Sequence, residues 1–328
     1  MKKMTHKVAV HIVTHNSADT IPSCLKALQK QSFRNIVICI IDNNSTDNTA
    51  QIANKFAPDV LVKNTQNIGY AAAHNQALRY TKSEYVLTLN PDVLLGDRFI
   101  ERMVGSIDGS PARVGSAAGL LYRVNSLSEI SQQIDGAGLY MRRNRRQLLR
   151  HEGKYADTLV WKQEVIFGPD GAAAFYRREM LEDINLGDGV FDEDFFMHKE
   201  DVDVCWRAQL RGWSSLFVPD AQARHIRTFR AGQRKHIDSS MRMMAVRNRY
   251  YLMIKNELAM LFLRDFPLIA LYDFGIFLYL LLKERSSLVA YAQVIQALPR
   301  LVQKRSRIQA HVVVGLFDMA HWFQRGRP

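Results

Sequence analysis

In the first hundred residues, short runs of branched apolar side chains alternate with segments of helical periodicity, and every run ends in a polar cluster. Runs at 8–13, 36–41, 60–62 and 85–89 read as strands, and their alternation with helices predicts βαβ units and a parallel sheet. Ile21, Leu25 and Leu28 recur at helical spacing behind Pro22, which suits a first helical turn. Ser45 is expected to cap a second helix carrying Ile52 and Phe56, and a third helix is expected over 70–80. Beyond residue 110 the pattern loosens. A basic run, Arg142, Arg143, Arg145 and Arg146, reads as a loop or an exposed hairpin; a strand-like segment at 168–176 and an acidic stretch at 188–194 follow. A helix over 200–211 and a strand at 215–218 then lead to Arg224-His225. From residue 241 the chain reads as helices, with apolar stretches at 258–263 and 266–282. The expected division is an α/β domain over 1–235 and a basic, apolar helical region over 236–328.

The 328 residues, 47% of them hydrophobic, are enough for one large core plus an accessory region. Cys24, Cys39 and Cys205 are an odd number without paired spacing, each in an apolar stretch, which predicts buried reduced thiols and neither a disulfide scaffold nor a zinc site. No secretory signal precedes the first strand, so a cytosolic protein is expected. The net charge of +12 is unevenly placed: residues 1–223 hold 26 basic and 26 acidic side chains, and residues 224–328 hold 18 and 6. Basic charge mixed with long apolar runs points to an anionic membrane surface or phosphate-bearing ligands. No nucleic-acid-binding pattern accompanies it. The stretch 266–282 falls short of the ~20 residues of a spanning helix and contains Asp273, with Arg264 and Asp265 just before it. It is expected to lie in the membrane interface; packing on the core or on a second copy, and so a homo-oligomer, stays open as the alternative.

In an open α/β sheet, loops at the carboxyl ends of the strands gather in one crevice where ligands bind. Thr14-His15-Asn16-Ser17, Asp42-Asn43-Asn44-Ser45, Asn64 to Gly69 and Asn90-Pro91-Asp92 occupy those ends. Each alone is ordinary turn chemistry, but four in succession point to a site. Asp42 suits a base or ribose, and Gly69, opening a helix, suits the close approach of a diphosphate. Asp92 brings a carboxylate to the end of a buried strand, where a divalent cation bridging phosphates fits. A second cluster runs from Phe195 to Asp203. There Glu200 or Asp201 serves either as helix-capping charge or as the general base of a sugar hydroxyl, and Asp203 with Arg207 is expected to form a surface pair. His225, among Arg224, Arg227 and Arg230, reads as a structural histidine or as an imidazole for a metal.

The run 8–17, IIDNNSTDNT at 40–49, NTQNIGYAAAHNQAL at 64–78, LTLNPDVLL at 87–95, GPDGAAAFYRREML at 168–181 and FDEDFFMHKEDVDVCWRAQLRGW at 191–213 together resemble glycosyltransferase family 2, and most of all its bacterial rhamnosyltransferases. The resemblance covers residues 6–230. It implies a GT-A fold, a Rossmann-like, mixed, mostly parallel sheet flanked by helices, here followed by the helical, membrane-associating region. It also implies an inverting transferase using Mg2+ or Mn2+. Position by position, Thr14, Asn16, Asp42 and Asn44 resemble nucleotide-binding residues, and Asn67, Gly69 and Asn75 fall in the diphosphate and ribose region. Asp92 matches the last acid of an Asp-any-Asp metal motif in which Asn90 replaces the first. Asn90 is also expected among the nucleotide-sugar-binding residues; Asp201 matches the catalytic base; Asp170 and Gly171 match the acceptor-side loop, and Glu200 is expected to bind the acceptor with them; His225 matches a position that completes the metal site in some relatives. The expected donor is a nucleotide-diphosphate sugar, dTDP-L-rhamnose by resemblance, with hexose, galactofuranose or amino-sugar donors as alternatives. The expected acceptor is a polyprenyl-diphosphate-linked glycan in cell-surface polysaccharide synthesis, met by a peripheral enzyme at the cytoplasmic membrane face. A nucleotidyltransferase would instead carry a glycine-rich basic loop where Thr14 to Ser17 stand, and a degenerate scaffold would have lost Asp92 or Asp201.

Overall fold

The structure, a computed structural model, describes residues 6–324 apart from 127, 128, 130, 186, 188 and 227–237; Asp188, Arg227 and Arg230 therefore lie outside the described residues. Buried apolar side chains on both faces of β1 (His6–Thr14) make it a central strand. It pairs in parallel with β2 (Ile36–Asp42), which carries β3 (Val60–Lys63) on its far side, and with β4 (Ser83–Leu89). The intervening helices α1 (Ile21–Gln29), α2 (Thr49–Asn54) and α3 (Tyr70–Tyr80) follow the expected order, and α1 buries Ile21, Cys24, Leu25 and Leu28 on one face. Ser45 does not cap α2. Its hydroxyl bonds Asp42 at 2.5 Å, while Asp47 serves the amide of Thr49 at 3.0 Å.

The short β5 (Val93–Leu95), helix α4 (Phe99–Asp108) and β6 (Val114–Val124) come next, then β7 (Ile134–Gly136), β8 (Leu139–Arg142), β9 (Gln147–Leu149), β10 (Glu164–Ile166) and β11 (Ala173–Arg177). Helix α5 (Arg178–Asp183), helix α6 (Glu200–Leu210) and β12 (Ser214–Ile226) complete the domain. The large sheet has the order β10-β12-β6-β11-β4-β1-β2-β3; β11 runs antiparallel to both neighbours, while β12 and β6 are parallel. The result is a mixed α/β fold with a mostly parallel sheet flanked by helices. Two expectations change here. The strand-like segment at 168–176 is a loop over 168–172 followed by β11, and the strand at 215–218 is part of the much longer β12, which carries Arg224 and His225. All three cysteines are buried and free.

Helices α7 (Ser239–Asn256), α8 (Ala259–Lys283), α9 (Val289–Gln309) and α10 (Leu316–Trp322) follow. The two apolar stretches form one 25-residue helix, α8, which among the described residues is the one helix long and apolar enough to cross a membrane by length and composition. Leu263, Leu271, Phe274 and Leu282 on it are each more than 60% exposed. α7 and α9 pack on α6 through Trp206, Leu210, Tyr251, Leu252 and Leu301. A buried charge network joins the same elements: Lys255, fully buried, ion-pairs with Asp192 and lies 2.9 Å from Asp203, while Lys304 reaches Asp192 at 2.6 Å. Asp203 and Arg207, 2.8 Å apart, are part of this interior and not the expected surface pair. The basic run is likewise only partly exposed. It forms the turn between β8 and β9, and Arg145 is fully buried against Glu257 at 2.5 Å and Asp265 at 2.8 Å. Removing one partner from a buried ion pair costs about 3–5 kcal/mol because the other charge is left uncompensated. Lys255→Met is expected to lower unfolding stability by that order in denaturant titration, and a change under 1 kcal/mol would contradict the network's role.

Candidate functional site

Beyond the carboxyl end of β4, Asn90 and Asp92 enter a cavity of about 480 Å3 that Asp170, Gly171, Glu200, Asp201 and His225 also line. β5 sets one side of it. Its antiparallel register with β12 puts Val93 opposite His225, and the amide of Ile226 donates to the carbonyl of Asp92 at 3.0 Å. His225 Nε2 thereby lies 3.4 Å from Asp92 Oδ1, within ion-pair reach but long for a hydrogen bond. The other ring nitrogen, Nδ1, lies 2.8 Å from Asp135 Oδ2, and Asp135 is held in turn by Arg123 at 3.1 Å. Burial opposes a charge on this imidazole, but the carboxylates of Asp135 and Asp92 outweigh burial and raise its pKa to about 9.

Asp92 Oδ1 is buried without a hydrogen-bond partner among the described residues. A carboxylate oxygen left bare beside an imidazole whose far nitrogen is anchored by a second carboxylate has the donor chemistry of a divalent-cation site. Asp92 and His225 would fit such an ion once the imidazole gives up its Nε2 proton, because only the unprotonated nitrogen is a ligand. Among the described residues no group of three or more His, Cys, Asp or Glu side chains is poised to hold a metal, so an ion held by Asp92 and His225 would need further ligands from outside these side chains.

The opposite element is the start of α6. Phe196, His198 and Lys199 all have positive φ, of 62°, 66° and 74°, a costly path that the surroundings must enforce. Asn248 of α7 enforces it, since its amide nitrogen donates to the carbonyls of Phe195, Met197 and His198 at 2.8–2.9 Å. The path delivers Asp201 to the cavity, where its Oδ2 accepts from the amide of Gly171 and its Oδ1 from that of Val202, both at 2.8 Å. A Cβ at position 171 would sit 3.3 Å from Asp201 Oδ2, so glycine permits the approach. Burial raises the pKa of Asp201, and these two amides pull it back. Glu200 is also buried, and its Oε2 lacks a partner among the described residues. Burial first, then the neighbouring Asp201, pushes Glu200 up to about 8. The two backbone donors favour the charged form of Asp201 and offset part of its burial, whereas burial favours the protonated form of Glu200.

Thr14, Asn16, Asp42, Asn44 and Asn67 gather at the carboxyl ends of β1 to β3, outside the lining of this cavity. Asp42 stands at its expected strand end but is fully buried, accepting from Thr14 at 3.0 Å and from Ser45. Asn16, at φ 49°, accepts from the amide of Thr46 at 2.8 Å; Asn44 is also left-handed, at φ 64°; Asn67 accepts from Asn43 and from the amide of Gly69. Tyr70 connects this cluster to the cavity, because its hydroxyl donates to Asn90 Oδ1 at 2.7 Å.

Two expected residues at α3 have partners inside the fold. The amides of Tyr70 and Ala71 donate to the carbonyl of Phe196, at 2.6 and 3.2 Å, so this helix start is engaged by the 195–198 segment. Gly69, at φ 88°, is required there for a packing reason: a Cβ would fall 2.6 Å from the Phe196 ring. Asn75 is buried and bonds the backbone of Phe191 in both directions, which removes it from the cavity wall. Sequence reading missed Tyr70, Asp135, Asn248 and Lys199. Tyr70 followed a recognised glycine and Lys199 lay inside the recognised 195–203 cluster, so both were within reach of motif reasoning; Asp135 and Asn248 carry no local signal.

A model of the glycosyl transferase family 2 matches residues 9–185. An N-acetylglucosaminyl-diphospho-decaprenol L-rhamnosyltransferase of Mycobacterium tuberculosis is 27% identical over 259 residues, 70% of this chain and 79% of that protein. The crystal structure of S. aureus TarS superposes with a TM-score of 0.58 at 18% identity over 94% of this chain, which spans 50% of that protein. The mannosyltransferase PcManGT from Pyrobaculum calidifontis, in complex with GDP-Man and Mn2+, superposes with a TM-score of 0.54 at 18% identity, covering 94% of this chain and 86% of that one. The fold is thus the expected GT-A arrangement.

Glu200 makes the site's electrostatics measurable. Its folded pKa lies above the ordinary value of 4.5 and reaches about 8, so between those limits the folded protein holds a proton that the unfolded chain has released, and stability declines with rising pH. The slope is at most about 1.4 kcal/mol per pH unit. Glu200→Gln removes it, so the melting temperature of the variant is expected to gain on wild type steadily from pH 5 to pH 8. Parallel curves would mean that the carboxyl is already ionised in the folded protein.

Proposed function

The chain belongs to glycosyltransferase family 2, and from that premise we propose that it is an inverting transferase passing one sugar from a nucleoside-diphosphate donor to a polyprenyl-diphosphate-linked glycan. One observation carries this reading: Asp201, whose two carboxyl oxygens each accept from a backbone amide, lines the same cavity as the Asp92–His225 pair. In the proposed reaction the acceptor hydroxyl gives its proton to Asp201 as its oxygen bonds to the anomeric carbon. The bond from that carbon to the donor diphosphate breaks in the same displacement, and the nucleoside diphosphate departs with the electron pair. A single in-line substitution inverts the anomeric configuration. Asp92 and His225 are the residues that would hold Mg2+ or Mn2+, which supplies positive charge to the leaving diphosphate. Asp170 and Gly171 place the acceptor-side loop, with the Gly171 amide orienting the base.

The name of the mycobacterial relative supports L-rhamnose as the sugar, hence dTDP-L-rhamnose as donor, and an N-acetylglucosaminyl-diphosphate lipid as acceptor. The apolar face of α8 and the basic charge after residue 223 support a peripheral station on a membrane, at its cytoplasmic side. A screen of nucleotide sugars against such an acceptor tests the donor, and transfer from a hexose, galactofuranose or amino-sugar donor but not from dTDP-L-rhamnose would replace it. Asp201→Asn is expected to lower turnover by about 100- to 10,000-fold with donor affinity nearly intact; full activity would remove the residue from the mechanism. Asp92→Ala is expected to weaken donor binding by about tenfold or more in calorimetric titration with Mn2+, and little without it. Equal weakening under both conditions would separate Asp92 from the metal.

A further inference from the structure

A second, larger cavity of about 1110 Å3 opens between the turn joining β8 to β9 and helix α8. Gln147 and Lys199 line both this cavity and the catalytic one, so the two chambers adjoin. Its walls differ in kind. On the α8 side stand Leu268, Leu271, Ile276 and Leu280, and beside them Gly275, where a Cβ would meet nothing within 4 Å. On the turn side stand the arginines of the basic run, together with Arg249.

Not all of that positive charge is available. Arg145 is committed to Glu257 and Asp265, Arg143 also pairs with Asp265, and Arg249 Nε lies 2.7 Å from Asp273. Arg142, Arg146 and Lys199 form no ion pair among the described residues, and Arg142 Nε is buried without a hydrogen-bond partner there. The buried Arg142 Nε is unfavourable until an anion completes it, while Arg146 is exposed and Lys199 meets only the Gln147 amide oxygen, so both keep an unneutralised charge. A chamber with surplus cations at the end nearest the catalytic site and aliphatic side chains at the other matches an amphipathic anion, with its charged head inward and its hydrocarbon on α8. That apolar wall runs on into the exposed Phe274 and Leu282, the direction in which a long hydrocarbon would leave.

We propose that this second cavity seats the diphosphate and first isoprene units of the lipid-linked acceptor, so that the sugar on that diphosphate projects into the chamber of Asp201. The inference rests on the reading of the chain as a transferase to a lipid-diphosphate acceptor. It gives the basic run, which the donor reaction leaves without a part, a substrate to bind. It also makes Arg142 and Arg146 determinants of acceptor choice: a sugar on an uncharged carrier gains nothing from them.

Calorimetric titration of the full-length protein with geranylgeranyl diphosphate, inorganic pyrophosphate and geranylgeraniol tests the binding claim without requiring turnover. Geranylgeranyl diphosphate is expected to bind at least tenfold more tightly than either half alone. The Arg142→Gln/Arg146→Gln double variant is expected to lose that affinity by tenfold or more. Gly275→Phe, which fills the cavity from a helical position where glycine is intrinsically the weaker helix former, is expected to do the same with circular dichroism and melting temperature retained. Pyrophosphate binding as tightly as the prenyl diphosphate, vesicles of phosphatidylglycerol displacing it at equal phosphate concentration, or variants binding as wild type would each overturn the assignment. In transfer assays both variants are expected to raise KM for an N-acetylglucosaminyl-diphospho-lipid tenfold and to leave KM for an alkyl N-acetylglucosaminide unchanged. A wild type that binds the prenyl diphosphate yet transfers no sugar to either acceptor would overturn the transferase reading while leaving the binding site standing.

Discussion

A fully buried ammonium, that of Lys255, lies between the carboxylates of Asp192 and Asp203 and fixes where the catalytic helix can be. Asp203 is two residues beyond Asp201 on α6, and Asp192 opens the segment that leads into that helix. Both are held by a cation from α7, with Lys304 of α9 added at Asp192. Charges this deep are tolerated only in company, and the company is complete: Arg207 and Asn256 also reach Asp203, each at 2.8 Å. About two turns before Lys255 on the same helix, Asn248 ties down the carbonyls of Phe195, Met197 and His198 along the left-handed path into α6. The helices after residue 238 are therefore a wall of the site, because without them neither the path nor the direction of Asp201 is determined.

The cavity holds charge of both signs in separate places. Backbone donors favour charge on Asp201, burial opposes it on Glu200 beside it, and His225 is held between Asp92 and Asp135. Two neighbouring buried carboxyls, one given backbone donors and the other none, are set apart by their surroundings, which is how an environment distinguishes their roles. Beyond Lys199, burial, reinforced by Arg249, lowers that lysine's pKa to about 8, and the surroundings turn basic. In the proposed reaction, the gradient from acidic chamber to basic chamber would separate the place where a proton is taken from the place where an anion is held.

Much of this was legible in the sequence because it is local. Strand ends, helix α3 at Tyr70–Tyr80, and the acids at 92 and 201 follow from periodicity and from what strands and helices do at their ends. What stayed hidden depends on distant partners. Asp203 and Arg207 at helical spacing read as a surface pair, and only Lys255 and Asn256, some fifty residues on, show why they are interior. Arg145 in a basic run looked solvated until Glu257 and Asp265 closed on it. Gly69 fitted a phosphate cradle by position, yet it answers to the Phe196 ring. β6, built largely of Gly, Ala and Ser in its first half, has too little apolar pattern to announce a central strand.

The claim on which the account stands is a one-step displacement assisted by Asp201. The anomeric configuration of the transferred sugar, read by proton NMR on product isolated early in the reaction, tests it most directly. The account predicts the opposite configuration to that of the donor; retention of the donor's configuration would require a second displacement and would contradict it.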